Sequence, residues 1–158
     1  MSDSHAALSR RRFCAGACQA ASGATLATLF SACGGGSSPT APSGMTQTLA
    51  VQAGRFTGSG VQVTVAGSAL ADVGGAALVE CTAGVFLLSR TSASTFSAVD
   101  AVCSHESCTV TGADGAAYVC PCHGSRYDRS GHVLMGPAKA SLRQFPTTFT
   151  DGIVTISL

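Results

Sequence analysis

Two short stretches constrain this chain more than anything else in it: Cys103-Ser104-His105-Glu106-Ser107-Cys108 and Cys120-Pro121-Cys122-His123-Gly124-Ser125. Each supplies one Cys and one His, as C-x-H and C-x-x-H, and each adds a further Cys. Fourteen residues, Glu106 to Val119, separate the first His from the Cys that opens the second stretch. Thiolate and imidazole ligate soft and borderline metals, so this pattern calls for a metal centre, a disulfide framework or both. A structural zinc site is one alternative, but zinc ribbons and fingers pair like ligands within each half and carry no extra Cys in each loop. A disulfide-bonded domain with coincidental histidines is the other.

The rest of the chain must build a scaffold for those loops, and its 158 residues allow one modest domain. Charged residues make up 11% of it, under half of what soluble domains usually carry, while the hydrophobic fraction is an ordinary 46%. Disorder through charge excess is therefore excluded. The net charge of +1 comes without a basic stripe in the domain, which argues against a nucleic-acid partner. From about residue 47 the chain shows short runs rich in Val, Leu, Thr and Phe: 61–65, 77–81, 85–89, 96–102, 118–119, 132–134, 142–145 and 153–157. Gly and Pro punctuate them and no helical period is sustained, so the expected class is all-β, a sandwich or small barrel. Gly74-Gly75, Asp114-Gly115 and Asp151-Gly152 are the expected hairpin turns.

The N-terminal part reads differently. Ser9-Arg10-Arg11-Arg12-Phe13 precedes a weakly apolar segment, Cys14 to Ala32, which is interrupted by Gln19, Ser22, Gly23, Thr25 and Thr28. A charged start, an apolar middle and a small-residue end make an export signal, and S-R-R-x-F resembles the twin-arginine type. An uncleaved membrane anchor is the alternative, though spanning helices want about 20 mostly apolar residues. Leu29-Phe30-Ser31-Ala32-Cys33 resembles a bacterial lipoprotein cleavage site, with Phe30 where an aliphatic is usual. The other reading of Cys33 is a Cys in a discarded leader. The resemblance implies a signal over 1–32, a lipid-carrying Cys33 and a linker over 33–46 rich in Gly, Ser, Pro and Thr, whose composition predicts flexible coil. The domain, 47–158, would then hang from the periplasmic side of a bacterial membrane. Without the leader's three arginines and one Asp, six basic and seven acidic residues remain, so no electrostatic steering of a partner follows.

From about Ala101 to Pro146 the residues resemble the Rieske iron–sulfur family, whose pattern is C-x-H, a gap of similar length, then C-x-x-H. That resemblance implies an antiparallel β-sandwich with a small cluster-binding subdomain, whose loops span about 101–140. It implies one 2Fe-2S cluster, with Cys103 and Cys120 on one iron and His105 and His123 on the other. Replacing two thiolates by neutral imidazoles removes negative charge, so an electron is more easily added. Such centres lie at roughly −150 to +300 mV, against about −400 mV for all-cysteine plant-type clusters. By the same resemblance Cys108 and Cys122 form a disulfide joining the loops, which suits an oxidising compartment. Ser125 would donate to a bridging sulfide and Tyr127 to the Cys103 sulfur, and both bonds raise the potential. A positive value is expected.

Gly136-Pro137-Ala138 matches the family's proline loop, with Lys139 in place of its usual second Pro. Glu106 stands where quinol-oxidising relatives usually carry Leu. Its carboxylate would lower the potential somewhat and oppose insertion into an apolar docking site. The ligand imidazoles are expected to couple electron uptake to protonation. Cys81 is expected to be a buried inert thiol, and His132 a surface or strand residue without a redox role. The reading that follows is a membrane-tethered carrier passing single electrons between redox partner proteins. The alternatives are the iron–sulfur subunit of a quinol–cytochrome c oxidoreductase and the small subunit of a periplasmic molybdenum oxidoreductase resembling arsenite oxidase. With 158 residues, the catalytic domain of an aromatic-ring dioxygenase is not expected.

Overall fold

The computed structural model describes residues 46–158. The expected signal, Cys33 and the linker up to residue 45 lie outside the described residues. Among the described residues no helix is long and apolar enough to cross a membrane. Every regular element there is a strand: β1 Gln47–Thr48, β2 Ala50–Ala53, β3 Arg55–Phe56, β4 Gly60–Thr64, β5 Ala76–Cys81, β6 Gly84–Arg90, β7 Phe96–Asp100, β8 Gly112–Asp114, β9 Ala117–Val119, β10 Arg126–Tyr127, β11 Val133–Met135, β12 Gln144–Phe145, β13 Thr147–Thr150 and β14 Ile153–Ser157.

These strands form three sheets, ordered β1-β8-β9-β10-β11, β12-β7-β6-β5-β2 and β13-β14-β4-β3. The second sheet is the middle layer, and its sequence says why. Side chains alternate between the two faces of a strand, and β5, β6 and β7 carry apolar residues at successive positions, as in Ala77-Leu78-Val79 and Phe86-Leu87-Leu88. Leu78, Leu87 and Val99 sit side by side in register and face a core shared with Tyr118, Tyr127, Leu142, Cys103 and Cys120. Ala77, Val79, Phe86, Leu88, Phe96 and Ala98 face a second core with Val61, Val63, Val154 and Ile156. Burying a Val or Leu side chain contributes roughly 1.5–3 kcal/mol, and the middle sheet gains this on both faces.

The all-β expectation holds, with two corrections of detail. The sandwich is not wholly antiparallel, because β2 joins the middle sheet parallel to β5, with Ala50 opposite Ala77. Backbone pairing holds β2 at that edge, where Val51 is 62% exposed, so its sequence carries no burial pattern to read. Gly74-Gly75 is not a hairpin turn. It ends a loop over 65–75 that is pinned to β6, where the Gly74 N–H donates to the Arg90 carbonyl at 2.8 Å and the Arg90 guanidinium donates to the Ala71 carbonyl at 2.5 Å. Asp114-Gly115 and Asp151-Gly152 do join paired strands, β8 to β9 and β13 to β14.

The first sheet, with its short strands, is the smaller loop-bearing part. One loop runs from the end of β7 to the start of β8, the next joins β9 to β10, and a third follows β11. The two Cys/His stretches occupy the first two loops.

Candidate metal centre

Backbone pairing shapes the first loop into a small hairpin. The Val110 N–H donates to the Ala101 carbonyl at 2.7 Å and the Cys103 N–H to the Cys108 carbonyl at 2.8 Å, with Val102 bridged to Thr109 between them. In the second loop the Cys120 N–H donates to the Ser125 carbonyl at 2.8 Å and the Gly124 N–H to the Cys120 carbonyl at 3.0 Å. Each loop therefore folds back at its tip with its first Cys at the base and its His at the turn. A disulfide joins Cys108 to Cys122 across the loops, with Cα atoms 6.6 Å apart.

Depth separates the two kinds of candidate ligand. Cys103 and Cys120 are 4% and 1% exposed, and both are unbridged. The His105 and His123 rings lie further out, edge to face with centroids 5.0 Å apart, and the His123 side chain is 48% exposed. Burial pushes the Cys103 thiol up. Hydrogen bonds from the Tyr127 hydroxyl, from the backbone N–H groups of His105 and Glu106 and from Cys120 outweigh it, bringing the thiol down to about 7. Burial and the neighbouring Cys103 instead push Cys120 up, against the N–H groups of Cys122 and His123. One thiol of the pair is thus held ready to ionise, which ligation requires.

The third loop closes over this arrangement. The Ala138 N–H donates to the Ser125 hydroxyl oxygen at 3.2 Å, leaving the proton of that fully buried hydroxyl free to donate elsewhere. The Ser104 hydroxyl donates to the Ala140 carbonyl at 2.5 Å. These two bonds, either side of Lys139, tie the loop down where a second proline is absent. Pro137 lies half-buried in the same loop, next to Gly136, which packs on the Ser125 backbone. The Tyr127 hydroxyl lies 3.3 Å from the Cys103 sulfur, the contact expected of it. Ser104 was not singled out in the sequence, because only its place beside Cys103 could have drawn attention to it.

Glu106 is 63% exposed at the tip, its carboxylate 3.7 Å from His123 Nδ1. Elsewhere two expectations are settled. Cys81 is half-buried rather than buried, because it ends β5 where the hairpin to β6 turns toward solvent. His132 lies on the surface, its Nδ1 3.1 Å from the Asp128 carboxylate.

The donor set can be tested against a metal group. His105 Nδ1 is buried with no hydrogen-bond partner, and the two thiols face one another without bonding. Among the described residues, the candidate group of three within 4.8 Å is His105, Glu106 and His123, and no such group joins the thiols to the imidazoles. The sulfur pair and the nitrogen pair stand apart. A single tetrahedral ion needs all four donors around one point, whereas a group with two metal atoms takes a like pair at each end.

The sequence profile of the Rieske [2Fe-2S] domain matches residues 57–146, more than half of the chain. This protein belongs to the Rieske family. Its cofactor is accordingly a 2Fe-2S cluster, which the spacing of its donor pairs fits. Among curated relatives, the Rieske chain is 43% identical over 60 residues to a cytochrome b6-f complex iron-sulfur subunit of Prochlorococcus marinus (strain NATL1A), covering 37% of this chain and 34% of the relative. It is 36% identical over 62 residues to the corresponding subunit of Chlorobaculum tepidum, covering 39% and 34%. The matched region thus spans about a third of those relatives' length. Among solved structures, the plasma membrane Rieske protein of Synechocystis PCC 6803 aligns with a TM-score of 0.48 and 26% identity, over 52% of this chain and 86% of that one.

Proposed function

We propose that this Rieske protein is a single-electron carrier, tethered to the periplasmic side of a bacterial membrane through a lipid on Cys33. Cys103 and Cys120 hold one iron, and His105 and His123 hold the other. Bound there, the cluster supplies a site that gains and loses one electron. The observation that carries this reading is the division by depth: the sulfur pair is sealed in the core while the His123 ring reaches solvent. A partner that touches the tip meets imidazole first, and the thiolates stay away from water and oxidants.

The residues around the donors each have a task. The Tyr127 hydroxyl lies where it offers its proton to the Cys103 sulfur, and the buried Ser125 hydroxyl would offer its own to a bound cluster; both bonds favour the reduced state. Glu106 places a negative charge beside His123 and opposes them, since a carboxylate stabilises the more positive, oxidised state. The Cys108–Cys122 bridge holds the two loops together whether or not an electron is present.

A second reading, as the iron–sulfur subunit of a larger cytochrome complex, is favoured by the names of the relatives. The exposed carboxylate of Glu106 at the tip speaks against docking into an apolar site. Copurification from detergent-solubilised native membranes separates the two: the carrier elutes alone, whereas a subunit brings cytochrome with it in stoichiometric amount. Replacing Cys103, His105, Cys120 or His123 singly by Ser or Ala abolishes the mixed-ligand 2Fe-2S EPR signal of the reduced protein if the ligand assignment is right. A Cys33→Ala chain that still fractionates with membranes would refute the lipid tether.

A further inference from the structure

A hydrogen-bond knot at the base of the first loop gives Ser104 a role of its own. The Tyr127 hydroxyl is fully buried, and three groups surround it: Cys103 Sγ at 3.3 Å, the Ser104 N–H at 3.2 Å and Ser104 Oγ at 3.1 Å. The N–H can only donate, so it occupies a lone pair of the phenol oxygen. Ser104 Oγ lies 2.5 Å from the Ala140 carbonyl. A carbonyl brings no proton, so at that separation the single Ser104 hydroxyl proton is committed to it. Toward Tyr127 the Ser104 oxygen can therefore act only as an acceptor. The phenol has one proton and two acceptors competing for it, the sulfur of Cys103 and the oxygen of Ser104.

We infer that Ser104 is a positioning residue that sets how much of the Tyr127 hydrogen bond reaches the Cys103 sulfur, and so trims the cluster potential from one residue away. Its backbone N–H polarises the phenol and strengthens it as a donor, as linked hydrogen bonds do. Its hydroxyl oxygen draws part of that donation off the sulfur. The two effects oppose each other in one residue, and only the hydroxyl is removable by substitution. The third loop takes part as well, because the Ala140 carbonyl is what turns the Ser104 oxygen into an acceptor. The inference rests on Cys103 being a cluster ligand.

The sign that follows is specific. Removing a hydroxyl next to a cluster would ordinarily be expected to lower its potential. Here Ser104→Ala leaves the sulfur as the only acceptor for the Tyr127 proton, so the midpoint potential rises. Tyr127→Phe removes the proton itself and lowers the potential.

The test is protein-film voltammetry on the cluster-loaded protein and on Ser104→Ala, Ser104→Thr, Tyr127→Phe and the Ser104→Ala/Tyr127→Phe double variant. Resonance Raman of the Fe–S stretches in H2O and D2O gives a second readout. Expected are a positive shift for Ser104→Ala, with a larger deuterium effect on the stretches, and a value near that of the parent for Ser104→Thr, which restores the hydroxyl. The double variant should match Tyr127→Phe alone, because without the phenol proton Ser104 has nothing to divert.

A negative or absent shift in Ser104→Ala, with Tyr127→Phe lowered as stated, overturns the inference and leaves the ligand reading intact. A Ser104→Ala shift that persists undiminished in the Tyr127→Phe background also overturns it, since solvent entry through the loosened third loop would then be the cause. No shift in either single variant removes the inference together with the assignment of Cys103.

Discussion

Gly136 is where the third loop crosses the second, and Gly136→Ala tests that crossing. Its φ is +103°. A Cβ there would stand 2.6 Å from the Ser125 Cα, 3.0 Å from its N and 3.2 Å from the Gly124 carbonyl oxygen. All three are backbone atoms, so no side chain can swing aside. The positive φ costs about 1–3 kcal/mol in a residue with a Cβ, and forcing atoms into a filled space adds about 1–3 kcal/mol. Gly124 provides the control, since its φ is +72° but nothing lies within 4 Å of its Cβ position. Gly124→Ala should therefore carry only the conformational cost, about 1–2 kcal/mol. Taking about 4 °C per kcal/mol for a domain of this size, the unfolding midpoint should drop by about 8–24 °C in Gly136→Ala and about 4–8 °C in Gly124→Ala. Thermal unfolding followed by far-ultraviolet circular dichroism at equal iron content reads the difference, and visible absorbance shows whether the cluster leaves first. Both variants carry the conformational cost, so the filled space alone should set the two midpoints about 4–12 °C apart, and midpoints within about 3 °C of each other would refute the close approach of the third loop to Ser125.

Three further outcomes follow from the same structure. Replacing Cys108 and Cys122 together by Ser opens a link between residues 14 apart. Loop-closure entropy puts the loss near 3 kcal/mol, and a urea midpoint unchanged from the parent would count against a structural role for the bridge. Burial pushes the Asp128 carboxyl up, but the His132 N–H, the His132 ring and the Ser130 N–H together hold it below its ordinary 3.8. With the folded value below the unfolded one, this contribution to stability is present above about pH 4 and is lost as the pH falls through the folded value. Asp128→Asn should therefore flatten the acid-unfolding profile below pH 4, and an equally steep profile would show that the turn is held by something else. Glu106→Gln removes the negative charge 3.7 Å from His123, so the midpoint potential should move positive without loss of iron. A negative shift would mean the carboxylate acts by shaping the tip rather than by its charge.

Much of the scaffold was legible because the middle sheet is buried on both faces. The apolar run Val85–Ser89 marks a strand of that sheet wherever its neighbours sit, and Ile153–Ser157, in the third sheet, is marked by alternation, with Val154 and Ile156 buried. The strands that escaped are β1, β2 and β3 at the start, and β8, β10 and β13 later. They are short or lie at sheet edges, so water covers one face and backbone bonds, which leave no trace in composition, hold them. Cys81 was misjudged for a related reason, because an apolar run does not say how close its last residue comes to the surface. Glu106 was visible as a charge at the tip, but its approach to His123 depends on how two loops 14 residues apart meet.

Residue type and spacing were enough to mark the four donors, and the resemblance they carry implied the cluster. Two Cys and two His in mixed pairs leave few metal groups that suit them, and metal–ligand bonding is local, so the donors are recognisable without a fold. Whether those donors form one tetrahedral set or two separate pairs depended on the tertiary structure, which buries the sulfur pair and leaves the His123 ring at the surface. Folding also decided which protons reach the Cys103 sulfur. Ser104 is its neighbour in sequence, yet Tyr127 and Ala140 come to it from 23 and 36 residues away. Hydrogen bonds depend on separations of a few tenths of an ångström, and only packing sets those.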